Sequence, residues 1–512
     1  MLALVVLSKS PRLRLCTLAF ACLLVLAAPA FAAGEPGKVL EDDWYALYLN
    51  GQKAGYEHEV VTEKQGVNGA VYASAVRNEL AVSRAGVSVR VVDDTTVTEN
   101  ADGRLLSFTK RRTQGPLSMV WNGQVEGDEL VVSVRAGGPA TVKRMPAPEG
   151  LCPWALRKLG DKMGHEPGTK YTAKAFIADM PESPVQMSVE VAGREAVQVF
   201  EVTKWLHRTD ATMRIPPGVD VTASQWSDES GTVWLIRVEL GPNMRLESRK
   251  TTKDLAQAAD APADILAASV IPTDNPIPAP RRLERLQVVL EPVAGSTVAA
   301  DIPSDPWQDV APAGEGLRVT IRRAHGAPEK SYSLPYSGDE YADLVKPNVW
   351  LEAGDPLVSS MSREAVGDAT DALTAARRIE AYVRSAVKEK GLDLGFATAA
   401  ETAKQKAGDC TEHAVLVAAL ARAAGMPSRV VGGLVYAEKL PGAPRGGFGY
   451  HMWAEAYVGE WLPLDAALGG HDATHLALVR SDLNQTGDLL AISAAISRHL
   501  GGFKVHVVEG SP

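Results

Sequence analysis

Between about Asp42 and Leu240 the chain consists of short runs rich in β-branched, aromatic or alternating residues, a pattern that admits little besides antiparallel sheet. Trp44 to Leu49, Leu105 to Lys110, Glu129 to Val134 and Thr232 to Leu240 carry strand periodicity or strand composition. Asn50-Gly51, Asn68-Gly69, Asp102-Gly103 and Asn122-Gly123 fall between such runs, and these dipeptides favour the type I′ turn that joins two antiparallel strands. The expectation for residues 33–260 is an antiparallel meander, curled into a half-barrel or closed as a sandwich. One short helix is expected around Cys152-Pro153-Trp154-Ala155-Leu156. No catalytic constellation stands out in this part, and its tryptophans are read as core, since large aromatics are readily buried.

The residues before this β-rich part have the form of a targeting segment. Lys9, Arg12 and Arg14 make a positive start, Leu15 to Ala28 an apolar stretch, and Ala30-Phe31-Ala32 a small-x-small cleavage pattern. The apolar stretch is shorter than the ~20 residues of a spanning helix. Residues 1–32 are therefore expected to be a cleavable signal peptide, with the mature protein periplasmic or secreted. Cys16 and Cys22 lie inside this segment, which leaves Cys152 and Cys410 in the mature chain. Two cysteines are too few for a disulfide scaffold. Lys and Arg number 53 against 62 Asp and Glu, a net charge of −9. Without a basic run, nucleic acid is not the expected partner, because phosphate binding needs clustered positive charge.

After the β-rich part the composition shifts. Prolines recur at 262, 272, 276, 278, 280, 292, 303 and 306, so residues 261–335 read as a proline-rich linker. Leu286 to Leu290 and Leu317 to Arg322 form a small β segment within it. Residues 336–512 read as a further, α+β domain. There Leu373, Ala376, Ile379, Tyr382, Val383 and Val387 recur at helical spacing. Thr398-Ala399-Ala400-Glu401 and Asp409-Cys410-Thr411-Glu412 are capping boxes. The second opens an apolar stretch to Ala424 that Gly425 and Pro427 terminate. A helix apolar on all sides belongs at the centre of its domain. Strand-like runs follow at Ser428 to Tyr436, His451 to Val458 and Trp461 to Asp465.

With Asp409 as N-cap, Cys410 takes the first helical position, beside unpaired backbone N–H groups and the positive end of the helix dipole. Both favour thiolate over thiol, and the same N–H groups can hold an oxyanion. Position alone does not make a nucleophile, since a free cysteine is more often an inert small hydrophobe. His451, Trp453, Glu455 and Tyr457 share one strand face, Gly459-Glu460 is a turn, and the next strand runs back to Asp465. A carboxylate beside an imidazole orients it to activate a thiol. If the turn pairs Val458 with Trp461, however, Asp465 lies opposite Ala454. A bulge, or Pro463 loosening the edge, would then be needed to bring it to His451.

Four blocks together resemble the transglutaminase-like superfamily, as found in exported bacterial proteins. They are Gly408-Asp409-Cys410-Thr411-Glu412-His413-Ala414, Arg422-Ala423-Ala424-Gly425-Met426-Pro427-Ser428-Arg429-Val430, Tyr450-His451-Met452-Trp453-Ala454-Glu455 and Trp461-Leu462-Pro463-Leu464-Asp465. The resemblance covers about Val366 to Leu478. It implies a papain-like core with Cys410 as nucleophile, His451 as general base and acid, and Asp465 as orienting carboxylate; no cofactor or metal site is read from the sequence, and calcium dependence is left open. It also implies acyl transfer through a thioester on protein or peptide amides, ending in hydrolysis or in crosslinking to an amine. The substrate expected in an exported protein is protein or peptide, envelope or cell-wall peptide included. The competing expectation is a non-catalytic scaffold that serves as an envelope binding or assembly module.

Other residues carry open alternatives. His413, one turn beyond Cys410, either tunes the thiolate or is structural, and the structural role is preferred. Gln405 either completes an oxyanion hole or faces solvent. His471 and His475 have the i, i+4 spacing of metal ligands on a helix, but no third ligand stands out. The glycine-rich loop Gly442 to Gly449 is read as a lid or hinge before His451. Cys152 is expected to be free or buried. Asn484-Gln485-Thr486 is a glycosylation sequon, meaningful only in a eukaryotic secretory pathway.

Overall fold

The computed structural model describes residues 4–6, 16–18 and 37–511, apart from 85–86, 116, 137–139, 217, 242–243, 260–261, 265–269, 294–301, 389–396, 441, 486, 498 and 500. The expected signal peptide lies largely outside the described residues. Of it only Leu4–Val6 and Cys16–Leu18 are seen, paired antiparallel. No helix among the described residues is long and apolar enough to cross a membrane. The chain forms two compact units. The first comprises Met1–Leu240, Met244–Ala263 and Gln485–Ala494, and the second Gly241–Asn243, Asp264–Asn484 and Ala495–Pro512.

The first unit is built on one continuous antiparallel sheet rather than two stacked ones. Strands β1 (Lys38–Leu49), β2 (Gln52–Gly66), β3 (Gly69–Arg84), β4 (Val87–Asn100), β5 (Leu105–Gln114), β6 (Leu117–Glu126), β7 (Glu129–Ala136) and β8 (Thr141–Pro146) form a first meander. Helix α1 (Pro153–Met163) follows. Then β9 (Lys170–Ala175), β10 (Val185–Val199), β11 (Val202–Ile215), β12 (Val219–Ser227), β13 (Val233–Gly241) and β14 (Met244–Thr251) form a second. The two meanders are joined where β14 pairs with β1, Leu246 opposite Leu49 and Thr251 opposite Trp44. Leu151, just before α1, bridges to Ala175 at the end of β9. Cys152 is the N-cap of α1 and is free and buried. Burial holds its thiol well above the ordinary range.

Three of the four turn dipeptides sit in or beside turns, and Asn122-Gly123 does not. It lies within β6, opposite Thr109 and Phe108. A Cβ added at Gly123 would stand 2.0 Å from Phe108 Cε1, so the glycine is there to admit a ring, and the chain reverses instead around Gly127 (φ +66°). Gly123→Ala is expected to destabilise the protein by about 2 kcal/mol through overpacking, read as a lower urea midpoint. Phe108→Leu in the same chain should recover part of the loss, and recovery of none would show that the ring is not the obstacle.

Strand alternation points to polar residues facing water, yet part of this sheet buries them. Glu57, Asn78, Asp93 and Arg112 are successive neighbours across β2 to β5. Lys110, wholly buried, pairs with Asp179 at 2.8 Å. Burial pushes Asp93 up to about 7, against the opposing pull of Lys110 and Arg112. Glu99, also buried, accepts the N–H groups of Trp154 (2.9 Å) and Ala155 (2.8 Å) at the start of α1. It thus satisfies donors that a helix end leaves open. Burial nevertheless pushes it up to about 7.

The second unit contains two sheets and a helical layer. Strands β15 (Arg285–Pro292), β16 (Gln308–Ala313), β17 (Gly316–Arg322) and, from the far end of the chain, Phe503–Ser511 make a four-stranded sheet in the order β16, β17, β15, Phe503–Ser511. Helices α2 (Pro356–Val366), α3 (Ala372–Ala386), α4 (Ala399–Gln405) and α5 (Cys410–Ala423) precede β18 (Ser428–Ala437), β19 (Gly447–Tyr457), β20 (Trp461–Leu464) and β21 (His475–Ser481). Every residue of α5 from Cys410 to Arg422 is buried, and the helix packs on α2, α3, α4, β18 and β19. Arg422, near its end, donates to the carbonyls of Lys346 (2.7 Å), Ser428 (2.9 Å) and Asp482 (2.8 Å). Burial brings its guanidinium down to about 10.

Strand β19 has β18 along one side. Along the other, Ile271–Pro272 covers Gly447 and Phe448, and β20 covers Ala454 to Tyr457. Between these two short partners lies the stretch that holds His451. The loop expected as a lid is tied down at its C-terminal end: Gly446 O accepts from Thr273 N (3.3 Å) and Thr273 Oγ1 (3.2 Å), and Gly447 onward is strand.

Candidate active site

Cys410 is placed by its cap. Gly408 has φ +155°, and a Cβ there would meet Glu412 Cβ at 2.3 Å, so only glycine admits the Glu412 side chain so close. Asp409 accepts the Thr411 N–H at 2.8 Å, and Glu412 Oε2 accepts the Asp409 N–H at 2.8 Å. Glu412 Oε1 takes the N–H of Ala397 at 3.0 Å. Burial, reinforced by the Asp409 carboxylate, pushes Glu412 well above the usual carboxylate range. His413 Nδ1 lies 2.6 Å from Asp409 O. That bond closes the first turn of α5 and makes the histidine structural. Gln405 ends α4 and is exposed, so it faces solvent rather than completing an oxyanion hole.

His451 Nε2 lies 2.8 Å from Asp465 Oδ2, and Cys410 stands near enough to act on the charge of the same ring. All three residues are buried, with exposures of 7%, 5% and 1% along the series Cys410, His451, Asp465. The register explains how they meet. β20 pairs Tyr457 with Trp461 and Ala454 with Leu464, one residue away from the pairing expected from a Gly459-Glu460 turn. The turn takes in Val458, Gly459 (φ +99°) and Glu460. Carried one step further, this register brings Asp465 beside Trp453 and onto the face shared with His451. A one-residue slip exchanges the faces, so neither a bulge nor Pro463 is needed.

Asp465 is held from several directions. Its Oδ1 accepts the N–H groups of Ala467 (2.9 Å) and Leu468 (3.2 Å). Its own N–H donates to Glu380 Oε1 at 2.7 Å. Burial opposes its charge, but the His451 and His475 rings hold the carboxyl well below the usual range. Burial likewise opposes charge on His451, and Asp465 together with Cys410 more than reverses that, pushing the imidazole up to about 10.

The His471/His475 pair is not the helical metal motif its spacing suggested. His475 opens strand β21, and its Nε2 lies 2.9 Å from the same Asp465 Oδ2. The ligand atoms of His451, Asp465 and His475 all lie within 4.8 Å of one another, yet hydrogen bonds already account for this grouping. His471, buried beside His475 with ring centroids 4.7 Å apart, is kept neutral by burial and by that neighbour. The sequence reading missed His475 and Glu380 as parts of this site. The local sequence carries no signal for His475, since Leu476-Ala477-Leu478-Val479 is a continuous apolar run that suits a buried strand or a helix.

Comparison with known proteins places residues 359–466 in a match to the family described as the Transglutaminase-like superfamily. No curated protein matches. A candidate cysteine protease from Cytophaga hutchinsonii is 15% identical over 39% of this chain and 77% of its own, with a TM-score of 0.25. A β-barrel-like protein of a domain of unknown function from Brucella abortus is 11% identical over 42% of this chain and 98% of its own, with a TM-score of 0.30. A candidate protease from Parabacteroides distasonis is 11% identical over 58% of this chain and 69% of its own, with a TM-score of 0.18.

Proposed function

We propose that this chain, whose residues 359–466 match the family described as the Transglutaminase-like superfamily, is a thiol acyl-transfer enzyme acting on protein or peptide amides. The observation that carries this reading is the buried His451–Asp465 hydrogen bond, with Cys410, at the start of a buried helix, acting on the same imidazole. In the proposed reaction the Cys410 sulfur, as thiolate, attacks the amide carbonyl, and the oxyanion forms at the positive end of the α5 dipole. His451 gives its proton to the leaving amine, so the C–N bond breaks and a thioester forms. Water, or a second amine, then attacks the thioester while His451 takes up the incoming proton, and the C–S bond breaks to return the Cys410 thiolate beside the imidazolium. Asp465 holds the imidazole in the tautomer this exchange needs. With no acceptor-amine site identified, hydrolysis is the simpler outcome. The proposed setting is the periplasm or the exterior, and envelope peptide is the proposed substrate.

Iodoacetamide labelling followed by peptide mass mapping tests the site directly. Cys410 is expected to label at least about tenfold more slowly in His451→Ala than in the parent, because the imidazole that supports the thiolate is gone. Labelling at the rate of a free thiol, indifferent to His451, would leave the scaffold reading in its place. The proton on His451 predicts a second feature. Amide cleavage should hold up to about pH 10 and fall beyond it, as the imidazolium that protonates the leaving amine is lost. A fall centred near pH 7 would show that His451 acts without the support of Asp465.

A further inference from the structure

His475 is buried, faces the site and has no part in the three-residue reaction above. Its Nε2 stands 2.9 Å from Asp465 Oδ2, the oxygen that His451 Nε2 reaches at 2.8 Å. Its Nδ1 stands 3.3 Å from Asp472 Oδ1, 3.1 Å from Asp472 O and 3.2 Å from Asp472 N. Asp472 is itself fixed. Arg281 Nη1 donates to its Oδ2 at 2.7 Å, while the Thr474 N–H (2.8 Å) and hydroxyl (2.6 Å) donate to its Oδ1. One polar chain therefore runs from His451 through Asp465, His475 and Asp472 to Arg281.

We infer that His475 is a positioning residue that divides Asp465 Oδ2 between two imidazoles and thereby limits the proton affinity of His451. The inference rests on the Cys410–His451–Asp465 reading and deepens it. A carboxylate oxygen that accepts a second N–H offers less negative charge to the first. Holding Asp465 in place does not require His475, because Ala467 and Leu468 already bind its other oxygen. What His475 adds is the sharing. The groups that face it fit this role. Asp465 and Asp472 lie at its two nitrogens, and His451 and Trp453 of β19 stand with ring centroids 5.7 and 5.3 Å away. The neutral His471 ring covers it at 4.7 Å, Arg281 acts on it through Asp472, and Arg377 adds its charge on the His471 side.

The test compares His475→Met, which keeps the length of the side chain without a donor, with His475→Gln, which keeps an N–H. Both are made in the full chain labelled with 15N-histidine. The titration midpoint of His451 is expected to rise by about one pH unit in the Met variant and to stay within about 0.3 unit of the parent in the Gln variant. Equal midpoints in parent and Met variant overturn the inference. The parent alone supplies a second measurement should the Met variant fail to fold. His475 Nε2 must carry a proton at neutral pH, and a bare Nε2, as in a metal ligand, also overturns the inference. Iodoacetamide labelling of the same samples separates the two readings. His451-dependent labelling with an unmoved midpoint defeats the sharing alone, whereas labelling indifferent to His451 in the parent defeats the enzyme reading.

Discussion

Cys410→Ala is expected to remove all amide turnover and all acyl-enzyme, and His451→Ala to lower turnover by about 10³-fold or more. Asp465→Asn should cost a comparable factor, about 10³-fold, for a reason specific to this site. The Asp465 Oδ2 faces two imidazole nitrogens, at 2.8 and 2.9 Å. An amide turned to put its NH₂ group there meets two N–H donors. Turned the other way, it puts that NH₂ against the backbone N–H groups of Ala467 and Leu468. Either way one set of donors loses its acceptor and His451 loses its fixed tautomer. The double variant Cys410→Ala, His451→Ala should be no worse than Cys410→Ala alone, because residues that act as a unit are not additive. Turnover is measured with any amide donor that yields a thioester detectable by intact mass. Parent-level turnover in His451→Ala would sink the assignment.

The parts of this site that were legible in the sequence are those whose partners lie within one helical turn. Asp409, Cys410, Glu412 and the Thr398–Glu401 box fold as their spacing predicts, since a cap needs only its own first turn. The one-turn relation of His413 to Cys410 was equally visible. What the sequence left open depends on non-local geometry. Whether the turn after β19 holds two residues or three decides which face Asp465 takes, and Gly459-Glu460 suits either. Asn122-Gly123 has the same letters as Asn50-Gly51, yet Phe108 from the neighbouring strand makes it strand interior. His471 and His475 are four apart whether on a helix or at a strand start, and only the pairing of β21 with β18 distinguishes the two. The polar row Glu57, Asn78, Asp93, Arg112 was invisible for the same reason. Alternation marks two faces of a strand without saying that both are covered.

That hidden polarity leads to the largest stability effect expected in the first unit, at Arg157. The residue lies on α1 with 2% exposure, ion-paired to Glu41 of β1 and, at 3.0 Å, to Glu59 of β2. Its guanidinium also stands over the Trp154 ring, 5.3 Å from the centroid. One buried cation thus answers two buried carboxylates and anchors the helix to the sheet. Arg157→Met keeps much of the apolar volume but leaves both carboxylates uncompensated, and breaking a buried pair in this way costs about 3–5 kcal/mol. The expected result is an unfolding free energy lowered by that amount at pH 7, seen as a lower urea midpoint with an unchanged slope. The deficit should shrink as pH falls. In the variant the two carboxyls bind protons more readily folded than unfolded, so protonation favours its folded state. Adding Glu41→Gln and Glu59→Gln to the Met variant should return most of the loss at pH 7, because hydrogen-bonding groups without charge replace the stranded anions. A Met variant with a parent-like midpoint, or a triple variant no better than the single one, would show that α1 is held by its apolar contacts and by Glu99, with the ion pairs contributing little.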